Sequence, residues 1–270
     1  MRVTSQPVTL NGAGPAAAGP ASGRAAIMLS GVSKVYGRGT GAVQALDGLS
    51  LTVGSGEFVC LVGASGCGKS TLLSIVAGLD AASAGQVRTE GKRVTLMFQE
   101  PALFPWLTAK RNVELALRAR GAPKRRRERL TADLLDVVHL AEFAGKRPHE
   151  LSGGMRQRVA LARALAQDAD TLLMDEPFGA LDAMTRDLLH DELERICAER
   201  GLSVLFVTHN VREAVRLGDR VVLLSSRPGR VIEEYQVPRT GPRRIDSPQV
   251  AGLAATITDR LREEMRRHGN

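Results

Sequence analysis

Nine residues, Gly63 to Thr71 (GASGCGKST), carry the sharpest chemical signal in this sequence. Gly63, Gly66 and Gly68 permit backbone angles that turn successive N–H groups into one concavity. With Ala64, Ser65, Cys67 and Thr71 completing the loop, that concavity opens a helix whose N-terminus also attracts anions. Lys69 is spaced to reach β- and γ-phosphate oxygens, and Ser70 to hold Mg²⁺. Cys67 lies inside the loop, so thiol alkylation is an expected way to block it.

TLLMDEP (171–177) ends an apolar run with two carboxylates, Asp175 and Glu176. At the carboxyl end of a parallel strand Asp175 is placed to hold magnesium through water, and Glu176 to polarise an attacking water. The alternative, a pair of helix-capping carboxylates, loses once the glycine loop is present. LSGGM (151–155) is a second anion-binding helix start, with Ser152 as the cap and Gly153 and Gly154 exposing N–H groups. One nucleotide already has its cradle in 63–71, so the second cradle invites another chain. A head-to-tail dimer would sandwich each nucleotide between one chain's loop and the other's LSGGM helix.

The elements that must position these groups are alternating strands and helices. The runs 57–63, 171–175, 204–208 and 220–224 are apolar almost throughout, as parallel strands covered on both faces are. The long interval between the first two exceeds a crossover helix and predicts an inserted helical lobe, about 101–165. There the spacing predicts a helix over 129–143, with Leu130, Leu134, Val137, Val138 and Leu140 on one face. The fold class is α/β: a P-loop core with a mainly parallel sheet, an N-terminal antiparallel β portion and the inserted helical subdomain. Residues 1–26 are rich in Gly, Pro and Ala and read as a disordered leader. The main domain is expected over 27–240, and 241–270 as a basic, partly helical tail.

The chain has 270 residues and a formal charge of +8. It has no apolar run long enough to span a bilayer and no signal-peptide pattern. Three cysteines, widely spaced, fit neither a disulfide framework nor a zinc site and suit a reducing cytosol. The basic run KRRRER (124–129) is read as a solvated helix face rather than a nucleic-acid patch.

In order along the chain, these motifs resemble the ATP-binding subunits of ABC transporters over about residues 27–240. Tyr36 matches the aromatic that stacks on adenine, GASGCGKST the Walker A loop and Gln99 the Q-loop glutamine. LSGGMRQ matches the signature, LLMDE the Walker B strand, Asp182 in GALD the D-loop and His209 in FVTHN the switch histidine. The resemblance implies ATP and Mg²⁺ as ligands, with Ser70, Gln99 and Asp175 toward the metal and Lys69, Gln99, Glu176 and His209 as catalytic groups. It further implies a homodimer in which Ser152, Gly153, Gly154 and Asp182 serve the partner's ATP. It implies two membrane permease subunits, an extracytoplasmic solute-binding protein and a peripheral place on the cytoplasmic face of the plasma membrane, with no nucleic acid. A soluble ABC ATPase acting on nucleic acid is the alternative, and salt-dependent DNA binding would favour it.

MFQEPALFPWL (97–107) then takes on meaning. It follows Gln99 with two prolines and the single tryptophan, and offers Phe104, Trp106 and Leu107 either as anchors for a permease helix or as core of the lobe. FQEPALFPWL and SSRPGR are similar to the importer branch that serves nitrate, taurine and aliphatic sulfonates. The short segment between AGQV (84–87) and MFQE (97–100) resembles the sulfonate-type members, which places aliphatic sulfonates first, then taurine or nitrate.

Overall fold

Strands form where the apolar runs lie. β3 (Phe58–Val62), β6 (Thr171–Asp175), β7 (Ser203–Val207) and β8 (Arg220–Leu224) are buried along their whole lengths. With β5 (Val94–Met97) and β9 (Val231–Gln236) they make a six-stranded sheet in the order β5-β6-β7-β3-β8-β9. Every pair is parallel except β8 with β9. A second, antiparallel sheet has the order β2-β1-β4, from β1 (Ala25–Tyr36), β2 (Val43–Gly54) and β4 (Ala84–Thr89). The computed structural model describes residues 24–90, 93–238 and 244–268. The expected leader lies outside them except for its last three residues, of which Ala25 opens β1 and Ala26 is already buried.

The period of two along the buried strands divides the core. Phe58, Cys60 and Val62 of β3 join one apolar cluster, and Val59 and Leu61 join another. The second cluster packs the parallel sheet onto the antiparallel one and onto α1 (Lys69–Val76). The first packs it onto the remaining helices. Each fully buried Leu or Val contributes about 1.5–3 kcal/mol relative to exposure, which holds the strand ends in register for chemistry.

Three helices are inserted between β5 and β6: α2 (Ala109–Ala119), α3 (Lys124–Val137) and α4 (Gly153–Leu165). Thr108 caps α2 by accepting from the Arg111 N–H at 3.3 Å, and Ser152 caps α4 by accepting from the Met155 N–H at 3.2 Å. The helix expected over 129–143 starts earlier and ends earlier. The run KRRRER forms its first turns, with Lys124, Arg125 and Arg126 exposed. His139 then takes a left-handed φ of 54° that stops the helix, while Val138 and Leu140 stay buried through the turn.

The remaining helices are α5 (Ala183–Arg200), α6 (Val211–Leu217) and α7 (Pro248–His268). The tail is more than an appendage. Val250, Ala254 and Ile257 of α7 are buried in the larger cluster, and the helix packs on α6. Among the described residues no helix is long and apolar enough to cross a membrane.

Candidate active site

Strand order explains why distant motifs meet. The parallel strands β5, β6, β7 and β3 lie side by side, so their carboxyl ends share one edge of the sheet. Those ends lead to Gln99, to Asp175 and Glu176, to His209, and to the glycine loop with Lys69. A cavity of about 610 Å³ collects them. From the loop and α1 it is lined by Ser65, Gly66, Gly68, Lys69, Ser70 and Thr71. Tyr36, Gln99, Asp175, Glu176 and His209 close it from the other elements.

The loop holds its shape without a side-chain cap. Gly68, at φ 99°, sits so close to β2 that a Cβ there would lie 2.7 Å from the Ala45 carbonyl oxygen. Lys69 is buried, and its ammonium donates to the carbonyls of Gly63 and Ala64 at 2.8 and 2.9 Å. Gly63, Ala64 and Cys67 form the back of the loop and do not line the cavity. Cys67 is 1% exposed, and burial pushes its thiol up despite the neighbouring Lys69. Alkylation is therefore a poor probe of this loop, contrary to the expectation from its position in the sequence.

Asp175 is buried at the end of β6 and takes a hydrogen bond from the Ser70 hydroxyl. Burial raises its carboxyl above the ordinary aspartate range, and the Glu176 charge adds to that while Lys69 opposes it. Glu176 follows with a left-handed φ of 45°, a conformation that costs a non-glycine residue about 1–3 kcal/mol. Its backbone N–H is tied to the Val207 carbonyl at 2.9 Å. Its Oε2 lies 3.0 Å from His209 Nδ1 and accepts from Gln99 Nε2 at 3.5 Å. His209 and Gln99 thus converge on one oxygen of Glu176.

His209 owes its position to the turn around it. Asn210 caps α6, accepting from the N–H groups of Arg212 and Glu213, and the Asn210 N–H donates to Thr208 Oγ1 at 3.0 Å. Thr208 in turn donates to the buried Glu213, whose other oxygen lies 2.9 Å from His190 Nε2. The His190 ring meets Phe178 edge-on, centroids 5.0 Å apart, so the segment after Glu176 and the turn at His209 share one buried brace.

Ser152, Gly153, Gly154 and Asp182 stand apart from this cavity. The start of α4 packs against the 180–182 loop, where a Cβ on Gly154 would meet Leu181 at 3.0 Å. Asp182 caps α5 by accepting from the Thr185 N–H at 2.9 Å. Ser152, Gly153 and Asp182 are exposed on one surface, next to the exposed Met184 and Leu188.

A second cavity, of about 580 Å³, lies between β5, α2 and α4. Phe98, Leu115, Ala116, Ala160 and Phe104 are among its walls. Alternation along the chain after β5 puts Phe98 in this groove and Gln99 in the first cavity. Of the three predicted anchors only Phe104 lines the groove. Trp106 is 68% exposed with its ring 5.5 Å from that of Phe104, and Leu107 is half-buried. Trp106 is thus surface, and the reading of it as lobe core fails. The loop is held by Asn112, fully buried, which accepts from the Phe104 N–H at 2.9 Å and donates to the Thr108 carbonyl at 3.0 Å.

Sequence reasoning missed Asn112 and Gln157, whose roles come from contacts no motif records. It also missed Arg227, which lines the first cavity from within SSRPGR.

A glycine cradle that a Cβ would fill suits a polyphosphate, and a serine hydroxyl, a buried carboxylate and an amide oxygen are hard donors that suit Mg²⁺. Sheet, loop and carboxylate pair together define a P-loop nucleotide-binding protein. The family described as ABC transporter matches residues 46–179. The nitrate import ATP-binding protein of Synechocystis is 44% identical over 220 residues, 79% of this chain and 83% of that protein. The aliphatic sulfonates import ATP-binding protein 1 of Mesorhizobium japonicum is 46% identical over 244 residues, 88% of this chain and 89% of that one. A bacterial ABC transporter cassette in dimeric form superposes with a TM-score of 0.74 at 35% identity, covering 79% of this chain and all of the other. The chain belongs to the ABC transporter family.

Proposed function

We propose that this chain is the ATP-hydrolysing subunit of an importer for a small anion, peripheral on the cytoplasmic face of the plasma membrane and working through two separate permease subunits. The observation that carries the coupling is the pair Phe98 and Gln99, adjacent residues that face the groove and the nucleotide cavity respectively. A permease helix seated in the groove, with Phe104, Trp106 and Leu107 on its rim, would press on the strand end that carries Gln99. A solute-binding protein on the far side delivers the cargo, and no nucleic acid is involved.

Tyr36 stacks on adenine and the 63–71 loop receives the phosphates on its cavity side, Ser65, Gly66 and Gly68 to Thr71, with Gly63, Ala64 and Cys67 behind. Lys69 exchanges its loop carbonyls for β- and γ-phosphate oxygens. Ser70, Asp175 and Gln99 would hold Mg²⁺, which neutralises charge on the phosphates when bound. Glu176 accepts the proton of the attacking water as the bond from the γ-phosphorus to ADP breaks, and His209 holds Glu176 and the γ-phosphate in line. Two chains pair head to tail, so that Ser152, Gly153, Gly154 and Asp182 complete the partner's site. The separation of that surface from the cavity within one chain supports this pairing.

Aliphatic sulfonates come first as cargo, then taurine or nitrate. That order rests on the short segment between AGQV and MFQE; identity does not separate the three, since the sulfonate relative and a taurine import relative are both 46% identical. The test is uptake into vesicles that hold this chain with its permease and binding protein. Sulfonate-stimulated ATP hydrolysis and accumulation are expected, and stimulation by taurine or nitrate alone would revise the cargo. Hydrolysis without uptake of any of the three would overturn the importer reading.

A further inference from the structure

The turn SSRPGR (225–230), between β8 and β9, has no part in the roles above, yet it is built against the glycine loop. Ser225 Oγ accepts from the Arg230 N–H at 2.8 Å and donates to the Pro228 carbonyl at 2.7 Å, closing the turn on itself. The Gly229 N–H donates to the Ala45 carbonyl at 2.9 Å and the Gly229 carbonyl accepts from the Asp47 N–H at 3.1 Å. That contact wedges the turn beside β2. A Cβ at Gly229 would collide with the carbonyl oxygen of Cys67, so only glycine lets the turn lie this close to the loop.

Arg227 stands at the tip of this fixed turn. Its Nε donates to the Gly66 carbonyl at 3.0 Å, and the exposed side chain lines the nucleotide cavity. Its amino groups have no hydrogen-bond partner among the described residues. Lys69 differs: it is buried, with its ammonium engaged by two carbonyls of its own loop. The cavity also holds two carboxylates, Asp175 and Glu176. A polyphosphate entering it meets an arginine already anchored at one edge, which loses little freedom when the other edge binds.

We propose that Arg227 is a nucleotide-binding residue that grips the polyphosphate of a nucleoside di- or triphosphate while its Nε keeps hold of the Gly66 carbonyl. The inference rests on the reading of this cavity as the ATP site. Arg227 acts as a second cation beside Lys69, and the SSRPGR turn is the support that aims it.

Equilibrium binding of ADP and ATP to the purified chain separates the possibilities, with Arg227→Ala, Arg227→Lys and Arg230→Ala compared. Arg230 lies in the same turn, but its Nε donates to Asp47 at 2.8 Å and its side chain is outside the cavity. Arg227→Ala is expected to raise Kd for both nucleotides roughly tenfold, as loss of a charge-assisted contact does. Arg227→Lys should recover part of that, and Arg230→Ala should stay within about twofold of the unaltered chain. In steady state, KM for ATP should rise in Arg227→Ala while kcat at saturation changes by less than about threefold, the signature of lost uniform binding. Unchanged binding in Arg227→Ala overturns the proposal. So does an equal loss in Arg230→Ala, which would make the turn a mechanical support only. Failure of the unaltered chain to bind either nucleotide would instead overturn the ATP-site reading beneath it.

Discussion

The two cavities that meet at the end of β5 are close in size, about 610 and 580 Å³, and opposite in construction. The nucleotide cavity is made of backbone: strand ends, a glycine loop, carbonyls that hold Lys69, and a strained Glu176 pinned on Val207. Its charged groups are few and each is tied down. The groove is made of side chains from β5, α2 and α4, and its rim loop hangs on the buried Asn112 and on Arg163. A site built on backbone and charge should fail chemically when altered, keeping its fold. A site built on packing should fail structurally or not at all, according to how deep the altered residue lies.

Glu176→Gln applies the greatest stress to that contrast. It keeps the shape and the contacts to Gln99 and His209 but cannot take a proton, so hydrolysis should fall about 10²- to 10⁴-fold with ATP still bound. Phosphate-release kinetics beside equilibrium binding measure both, and normal turnover would remove Glu176 from its role. In the groove, Asn112→Ala leaves the Phe104 N–H without its acceptor and takes a donor from the Phe104, Leu107 and Thr108 carbonyls. A loss on the order of 2 kcal/mol is expected in urea denaturation. A loss below about 0.5 kcal/mol would show the rim loop holding itself.

A smaller, graded effect is expected from pH. The Asp175 carboxyl is raised by burial, so it protonates as pH falls while ordinary aspartates are still charged. Magnesium-dependent nucleotide binding should therefore weaken from above the usual aspartate range downward, and Asp175→Asn should remove that dependence. The sign for folding runs the other way: a carboxyl with a raised folded pKa costs stability at neutral pH, and the cost is relieved on acidification. Trp106→Ala is the mildest change. Trp106 is 68% exposed, so the isolated chain should keep its stability within about 0.5 kcal/mol and its ATPase rate intact. Co-purification with the permease should weaken, and full retention of the complex would free Trp106 of a docking role.

The same contrast explains what was legible in the sequence. GASGCGKST and the carboxylate pair are contiguous, because a phosphate cradle and a strand end are local structures. The four apolar strands were equally plain, since burial on both faces leaves a continuous run. His139 ends α3 without a glycine to announce it, so the sequence pattern runs on past the helix's true end at Val137. β5 is only four residues long, too short for its alternation to mark it. Arg227 reaches Gly66 across 161 positions, a contact no local pattern contains. The groove draws on three elements at once, and only the share that MFQEPALFPWL contributes, Met97, Phe98, Ala102 and Phe104, lies in one stretch of sequence.

Gln157, the last residue of LSGGMRQ, donates from Nε2 to the backbone carbonyl of Gln99 at 3.3 Å. Arg163 of the same helix donates to the carbonyls of Pro101 and Ala102 at 2.8 and 2.7 Å. The helix that begins with the exposed Ser152 and Gly153 is thus stitched to the residue that reaches Glu176. Coupling free energies are reciprocal. If a partner's phosphate drawing on the start of α4 favours one setting of Gln99, that setting must favour the partner's phosphate by the same amount. Under the head-to-tail arrangement each protomer would then read the occupancy of both sites at once, and the bond from Gln157 would be the conductor between them.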